Sequence, residues 1–252
     1  MNAPRHSVLA YRRSRNLGDA MQTYALARLL PEYSSAIYRD RAGLDETAAP
    51  LVVNGWLGLN PGRKKYPATF AGVFIGADDE DNIHWLSELS ATVIGARDPF
   101  TQQRLESAGL PAKMIGCATL TLPRYLGDRR GILHIDDGTP NCLTQDIPVD
   151  MSWEKQWELA ELRIKQLSRA ALVSTGRLHI SLPCLALGTP VICQPRGYQL
   201  AERFSLLSAL GVPTGEAVWK DPAPLAQEYI QFLEDALRVP IRPLPEPRFP
   251  VL

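Results

Sequence analysis

The 252-residue chain lacks an excess of either charge. Lys plus Arg and Asp plus Glu total 27 each, so the formal net charge is zero. That removes bulk attraction to nucleic acid or to an anionic membrane surface, although a local basic pocket stays compatible with it. Long apolar runs are also missing. None reaches the roughly 18 residues that suggest a membrane span. The start, Met1 to Arg15, is polar and basic and has no apolar stretch of the kind a signal peptide carries. Cysteine is scarce too. Cys117, Cys142, Cys184 and Cys193 form no C-x-x-C pair, and no histidine stands at zinc-ligand spacing from a cysteine pair. The expectation is a cytoplasmic protein with free thiols, no structural metal and no nucleic-acid or membrane partner.

What is present is an alternation of short β-rich runs and helical patterns. Ser7–Tyr11 reads as a strand and Asp19–Leu30 as a helix. Strands are expected at Ala36–Arg39, Leu51–Asn54, Phe70–Ile75 and Ala91–Gly95, with a helix over Asn82–Ser90. Asp98-Pro99 starts another helix, Asp as the N-cap and Pro at the first helical position, and Gly109 ends it. Leu120–Arg130 breaks the pattern with Pro123, Gly127 and charge. The alternation then restarts with a strand at Gly131–Asp136 and a helix at Ser152–Ser168. In that helix Trp153, Trp157, Ala160, Ile164 and Leu167 form one apolar stripe. Strands at Ala171–Ser174 and Pro190–Gln194 flank a helix at Leu178–Leu187, and helices follow at Gln199–Leu210 and Pro224–Leu237. The last 14 residues hold five prolines, which rules out regular helix.

Alternation of this kind predicts an α/β fold: two Rossmann-like domains facing across a cleft, 1–122 and 123–252, the second ending in a Pro-rich strap. Ligands in such sheets bind beyond the carboxyl ends of the strands. Three polar motifs fall there. Asn16-Leu17-Gly18-Asp19 joins the first strand to the first helix; Gly18 permits a tight turn, and Asp19 is either a helix cap or a ligand-facing carboxylate. Arg97 ends a buried strand just before the Asp98 cap, where a guanidinium binds phosphate or carboxylate, or pairs with Asp98. Ser174-Thr175-Gly176-Arg177-Leu178-His179 follows a strand and precedes a helix. If extended, it sets a guanidinium and an imidazole side by side at an anion-favouring helix start. A fourth segment, Val53-Asn54-Gly55-Trp56, reads first as a turn and second as part of the cleft wall. His6, His84 and His134 read as structural or exposed. Asp78–Asp81 reads as a solvated loop or charged helix start more readily than as a metal site.

NLGDAMQTYAL, VNGW, IGARDPFTQQRLESAGLPAKMIGCATLTLP and STGRLHISLPCLALGTPVI, in that order over residues 8 to 195, resemble the polysaccharide pyruvyl transferase family. The resemblance implies a GT-B-like fold with its site in the interdomain cleft. It implies phosphoenolpyruvate as donor, a saccharide or lipid-linked saccharide as acceptor, a pyruvate ketal as product and no cofactor. It puts the family's R-L-H element on Arg177, Leu178 and His179, its strand-end arginine on Arg97 and its aspartate on Asp19. His179, Asp19 and Arg97 are then the expected catalytic residues. Arg177, Leu178, Asn16, Gly18, Thr175 and Asn54 are the expected substrate-binding residues. Two other readings remain open at this point: a glycosyltransferase of the same fold using a nucleotide sugar, and a non-catalytic protein that binds a sugar or phosphometabolite.

Overall fold

The computed structural model describes residues 6–11, 13–30, 33–39, 50–57, 68–89, 93–195 and 201–245. Parts of several expected elements, among them Ser90, Ala91 and Gln199, and the end of the Pro-rich strap lie outside the described residues.

Six strands form one parallel sheet: β1 (His6–Ala10), β2 (Tyr33–Tyr38), β3 (Leu51–Trp56), β4 (Ala68–Phe74), β5 (Ile94–Ala96) and β6 (Ala112–Met114). Their spatial order is β2-β1-β3-β4-β5-β6, so the chain reverses its direction of travel across the sheet beside β1. Three further strands, β7 (Ile132–Ile135), β8 (Leu172–Thr175) and β9 (Val191–Cys193), make a second parallel sheet in sequential order. β6 follows Gly109 and Leu110 as a short edge strand that periodicity alone did not suggest.

The helices are α1 (Leu17–Ala27), α2 (Glu80–Glu88), α3 (Pro99–Ser107), α4 (Trp153–Arg169), α5 (Leu178–Leu187), α6 (Ser205–Ala209) and α7 (Ala223–Leu237). α3 starts as expected: Asp98 Oδ1 accepts the Thr101 amide at 2.9 Å, a cap that contributes about 1 kcal/mol. The stripe on α4 is buried as expected. Trp157 of that stripe packs on Tyr24 of α1 with ring centroids 5.0 Å apart. The single helix expected over Gln199–Leu210 is instead a 3₁₀ turn at Ala201–Phe204 followed by the short α6. The carbonyl of Arg203 within that turn accepts Arg97 Nη2 at 3.5 Å.

Asn54-Gly55 is not a turn. β3 runs through both residues with a bulge, Gly55 sitting at φ +76°, where its hydrogen leaves room for the Gln22 side chain. The bulge carries Trp56 to the carboxyl end of the strand.

The two sheets share one continuous apolar core. α1 packs on α4 and α5, and α7 returns from the second sheet to lie on β4. There the Tyr229 hydroxyl donates to the Ala71 carbonyl at 2.9 Å. The strap docks as far as Pro245: the Leu244 amide donates to the Arg28 carbonyl, and Arg28 Nε donates to the Pro245 carbonyl.

Candidate functional site

A cavity of about 490 Å³ lies where the carboxyl ends of strands from both sheets converge. Each contributing segment follows a strand. The segment after β1 supplies Arg13, Arg15, Asn16 and Asp19, and Arg39 follows β2. Trp56 ends β3, Gly76 to Asp79 follow β4, and Arg97 follows β5. From the second sheet come Arg177 and His179 after β8 and Arg203 after β9. Asp146 is delivered by a loop that crosses between the sheets. The Leu17 amide donates to the Gln145 carbonyl and the Ile147 amide to the Arg15 carbonyl, which pins that loop beside the start of α1.

α1 begins two residues earlier than its apolar pattern suggested, and that changes its cap. Asn16 is the N-cap, its Oδ1 accepting the Gly18 amide at 3.0 Å. Asp19 therefore sits in the first turn, with its carboxylate turned away from the helix to accept the Ser14 hydroxyl at 2.8 Å. The cap reading of Asp19 is corrected by this geometry. Burial raises the Asp19 pKa above the usual carboxylate range, against the opposing pull of Arg39, the Ser14 bond, Arg203 and Arg97.

Gly18 is fixed by a close approach across the two sheets. A Cβ there would lie 2.7 Å from His179 Cβ and 2.9 Å from its Nδ1. His179 is 6% exposed. Its Nδ1 meets Gln22 Nε2 at 3.5 Å, and its Nε2 has no partner among the described residues. Burial, reinforced by the positive charge of Arg97 and Arg203, holds its pKa well below the ordinary imidazole value. The resting imidazole is therefore neutral.

The segment Arg177 to His179 is not extended. Arg177 has extended backbone as the N-cap of α5, while His179 lies inside the helix at a non-helical φ/ψ of −81°/20°. Both still reach the cavity. Arg177 Nε donates to Asp136 and its Nη2 to Asp146, both at 2.7 Å. Two carboxylates thus already engage it. Arg97, 1% exposed, is held by Asp98 at 2.9 Å and lies over the Phe74 ring at 4.1 Å. Thr175 lies beneath this group, its hydroxyl accepting the Arg177 amide. Leu178 is buried in the core. Asn54 is 2% exposed, accepts the Tyr11 hydroxyl on its backbone carbonyl and does not line the cavity.

Sequence reasoning missed Arg203 and Arg39, and it offered Trp56 only within the segment whose second reading was cleft wall, the reading the cavity lining bears out. Arg203 is the most consequential. It is half-buried beside Arg97, and no described carboxylate forms an ion pair with it. Burial, then the neighbouring Arg97 charge, lowers its pKa, with Asp19 as the main opposing influence. No spacing rule connects residue 203 to residue 97; tertiary folding alone brings them together.

Among the described residues no group of three or more His, Cys, Asp or Glu stands close enough to hold a metal ion. In the acidic stretch, Asp79 accepts the Gly76 amide and the Trp56 indole, and Glu80 accepts Arg104. His134 bonds Asp137 at 2.6 Å, away from the cavity. No described helix is long and apolar enough to cross a membrane.

The family profile described as Polysaccharide pyruvyl transferase matches residues 16–147, more than half of the chain. The chain belongs to the polysaccharide pyruvyl transferase family. Within this family match fall Asn16, Gly18, Asp19, Arg97 and Asp146; Arg177, His179 and Arg203 fall beyond it and reach the site by geometry. No curated protein matches the chain. Among solved structures, one described as a functional uncharacterized protein from Klebsiella pneumoniae subsp. pneumoniae NTUH-K2044 is similar at 16% identity and a TM-score of 0.50. That match covers 81% of this chain and 88% of the other. It speaks to fold alone. Family membership makes a pyruvyl-transferring role on a saccharide the framework in which this member's cavity is read.

Proposed function

We propose that the cavity binds phosphoenolpyruvate and transfers its enolpyruvyl unit to two hydroxyls of a saccharide, giving a pyruvate ketal and inorganic phosphate. The observation that carries this reading is the approach of Arg97 and Arg203 to the buried His179 in one cavity. Phosphoenolpyruvate is a compact polyanion with a phosphate and a carboxylate, and guanidinium groups bind both in bidentate fashion. Arg97 enters from the six-stranded sheet and Arg203 from beyond β9. We read those sheets as the two lobes of a GT-B-like pair divided near residue 122, with α7 crossing back onto the first. The acceptor enters from the side of α1 and β3.

The chemistry assigns each group a task. His179 delivers a proton to the methylene carbon of the donor, which becomes the methyl group. One sugar hydroxyl adds to the central carbon and gives up its proton. A second hydroxyl then displaces phosphate from that carbon, and its proton leaves with the phosphate. Atoms and charge balance with no further reactant. Asp19, whose raised pKa makes it a better proton acceptor than an exposed carboxylate, orients and deprotonates the attacking hydroxyl.

A neutral imidazole is a poor acid, and the donor itself resolves this. Arg97 and Arg203 oppose the imidazolium in the resting protein. A polyanion seated on them cancels that field and favours the charged ring. Donor binding and proton uptake are then one event.

A thermal-shift titration with phosphoenolpyruvate, run beside a uridine nucleotide sugar, tests the donor. A ligand that binds only the folded state at a hundredfold excess over Kd adds about 2.7 kcal/mol of stability. Stabilisation by phosphoenolpyruvate that shrinks by about half or more in Arg203→Ala is the expected result. Stabilisation by the nucleotide sugar alone would replace this reading with glycosyl transfer.

A further inference from the structure

Trp56 is out of place as a packing residue. It ends a strand whose preceding five residues are all buried, yet it is 46% exposed. Among the described residues, the other large hydrophobic side chains of comparable exposure are aliphatic. Its ring is also held in position. The indole Nε1 donates to Asp79 Oδ2 at 2.9 Å, and the same oxygen accepts the Gly76 amide at 2.7 Å, so the anchor is itself anchored. The Arg39 guanidinium lies 5.4 Å from the ring centroid. An aromatic surface fixed this way loses little entropy when something lies on it.

The cavity is chemically divided. Arg97 and Arg203 adjoin His179, whereas Asp78 and Asp79 adjoin Trp56. Those carboxylates are suited to accept hydroxyl hydrogens, and the Arg39 guanidinium, which lies over one face of the ring, adds N–H groups at its border. A flat apolar face bordered by hydrogen-bonding groups of both kinds matches one ligand class: a pyranose, with an apolar C–H face and a rim of hydroxyls.

We propose that the face of Trp56 turned away from Arg39 is the stacking platform for the acceptor's pyranose ring, with Asp78 binding its hydroxyl rim. The proposal rests on the pyruvyl-transfer reading, which supplies the acceptor, and adds where and by what chemistry that acceptor is held. The ring lies over Trp56 and presents its hydroxyls toward Asp19 and the donor.

The test reads the indole directly. The chain has five tryptophans, and Trp56→Phe identifies the Nε1–H signal of Trp56 in a ¹H–¹⁵N spectrum. Methyl pyranosides of the gluco, galacto and manno series are titrated into the wild-type protein with phosphoenolpyruvate present. At least one is expected to move that signal saturably. Trp56→Ala is expected to weaken the same pyranoside about tenfold, with Trp56→Phe recovering most of the loss. The thermal shift with phosphoenolpyruvate should survive in both variants, which shows that they fold and separates the two sites. A Trp56 signal unmoved by every pyranoside overturns the proposal. So does pyranoside binding that is unchanged in Trp56→Ala, or a signal that responds only to a uridine nucleotide. A pyranoside response without any phosphoenolpyruvate stabilisation would sustain the platform and overturn the donor assignment instead.

Discussion

The two helices that meet at the cavity begin in opposite ways. α1 is closed at its start: Asn16 caps it, and Asp19 in its first turn is held by Ser14. α5 is open: Arg177 occupies the cap position without a side-chain cap bond, and the helix is irregular at His179. Arg177 and His179 at the start of α5 line the same cavity as Arg97 and Arg203, and a helix start without a side-chain cap favours the same kind of ligand as the guanidiniums. A helix that satisfies its own terminus serves as scaffold. On the proposed function, one that leaves its terminus open, and carries a buried imidazole in its first turn, is arranged around a ligand that completes it.

The sharpest way to break this contrast is to remove the imidazole. His179→Gln should lower turnover by about 10²- to 10⁴-fold, the usual contribution of a positioned general acid, while the phosphoenolpyruvate thermal shift persists. A folded His179→Gln protein with near-normal turnover would remove His179 from the chemistry and leave α5 as scaffold too. Next in size is Arg203, with which no described carboxylate forms an ion pair. Arg203→Ala should weaken phosphoenolpyruvate by about 10- to 100-fold, the range of a lost charge-assisted bond, with little change in the melting temperature of the free protein. Arg97 is the poorer target for that experiment. Removing it strands the buried Asp98 carboxylate, and breaking a buried pair costs roughly 3–5 kcal/mol of stability.

What was legible in the sequence follows the same division. The α3 start at Asp98-Pro99 and the stripe on α4 could be read because each is fixed by residues a few positions apart. The same holds for Asn16, Asp19, Arg97, Arg177 and His179, which sit in strand-to-helix junctions with recognisable turn chemistry and all reach the cavity. Arg203 was not legible, because it stands in a 3₁₀ turn with no motif around it and its neighbours come from residues 97 and 177. Trp56 was legible only as the second reading of its segment. Asn54-Gly55 carries turn chemistry, but pairing with β4 overrides it and makes a bulge, which sends the indole outward.

A smaller effect sharpens the comparison at the contact between the helices. Gly18→Ala places a Cβ 2.7 Å from His179 Cβ, an atom near the backbone that cannot swing away. Overpacking of this kind costs about 1–3 kcal/mol, read as a lower melting temperature. If the helices separate to accommodate it, turnover should fall further than phosphoenolpyruvate binding does, because the imidazole is displaced while the guanidiniums stay. An equal loss in both would mean that α1 and α5 position the donor and the acid as one unit.

The smallest expected effect is the pH dependence of stability. His179 is buried neutral, with Gln22 facing it from α1, the Arg97 and Arg203 charges beside it from other elements, and Asp19 lining the same cavity. Its folded pKa lies below the value of about 6.5 expected for the unfolded chain. Below that pH the unfolded state binds the proton and the folded state resists it, so this contribution to stability is intact above about pH 6.5 and is lost as pH falls. One proton accounts for at most about 1.4 kcal/mol per pH unit. The melting temperature of wild type should therefore fall more steeply than that of His179→Gln between about pH 7 and pH 5. Saturating phosphoenolpyruvate should shrink or reverse that difference, because the bound anion favours the imidazolium. The ligand's own titration is common to both proteins and drops out of the comparison. A difference that ignores the ligand would mean that His179 never takes its proton from donor binding, and that the open start of α5 serves some step other than protonation.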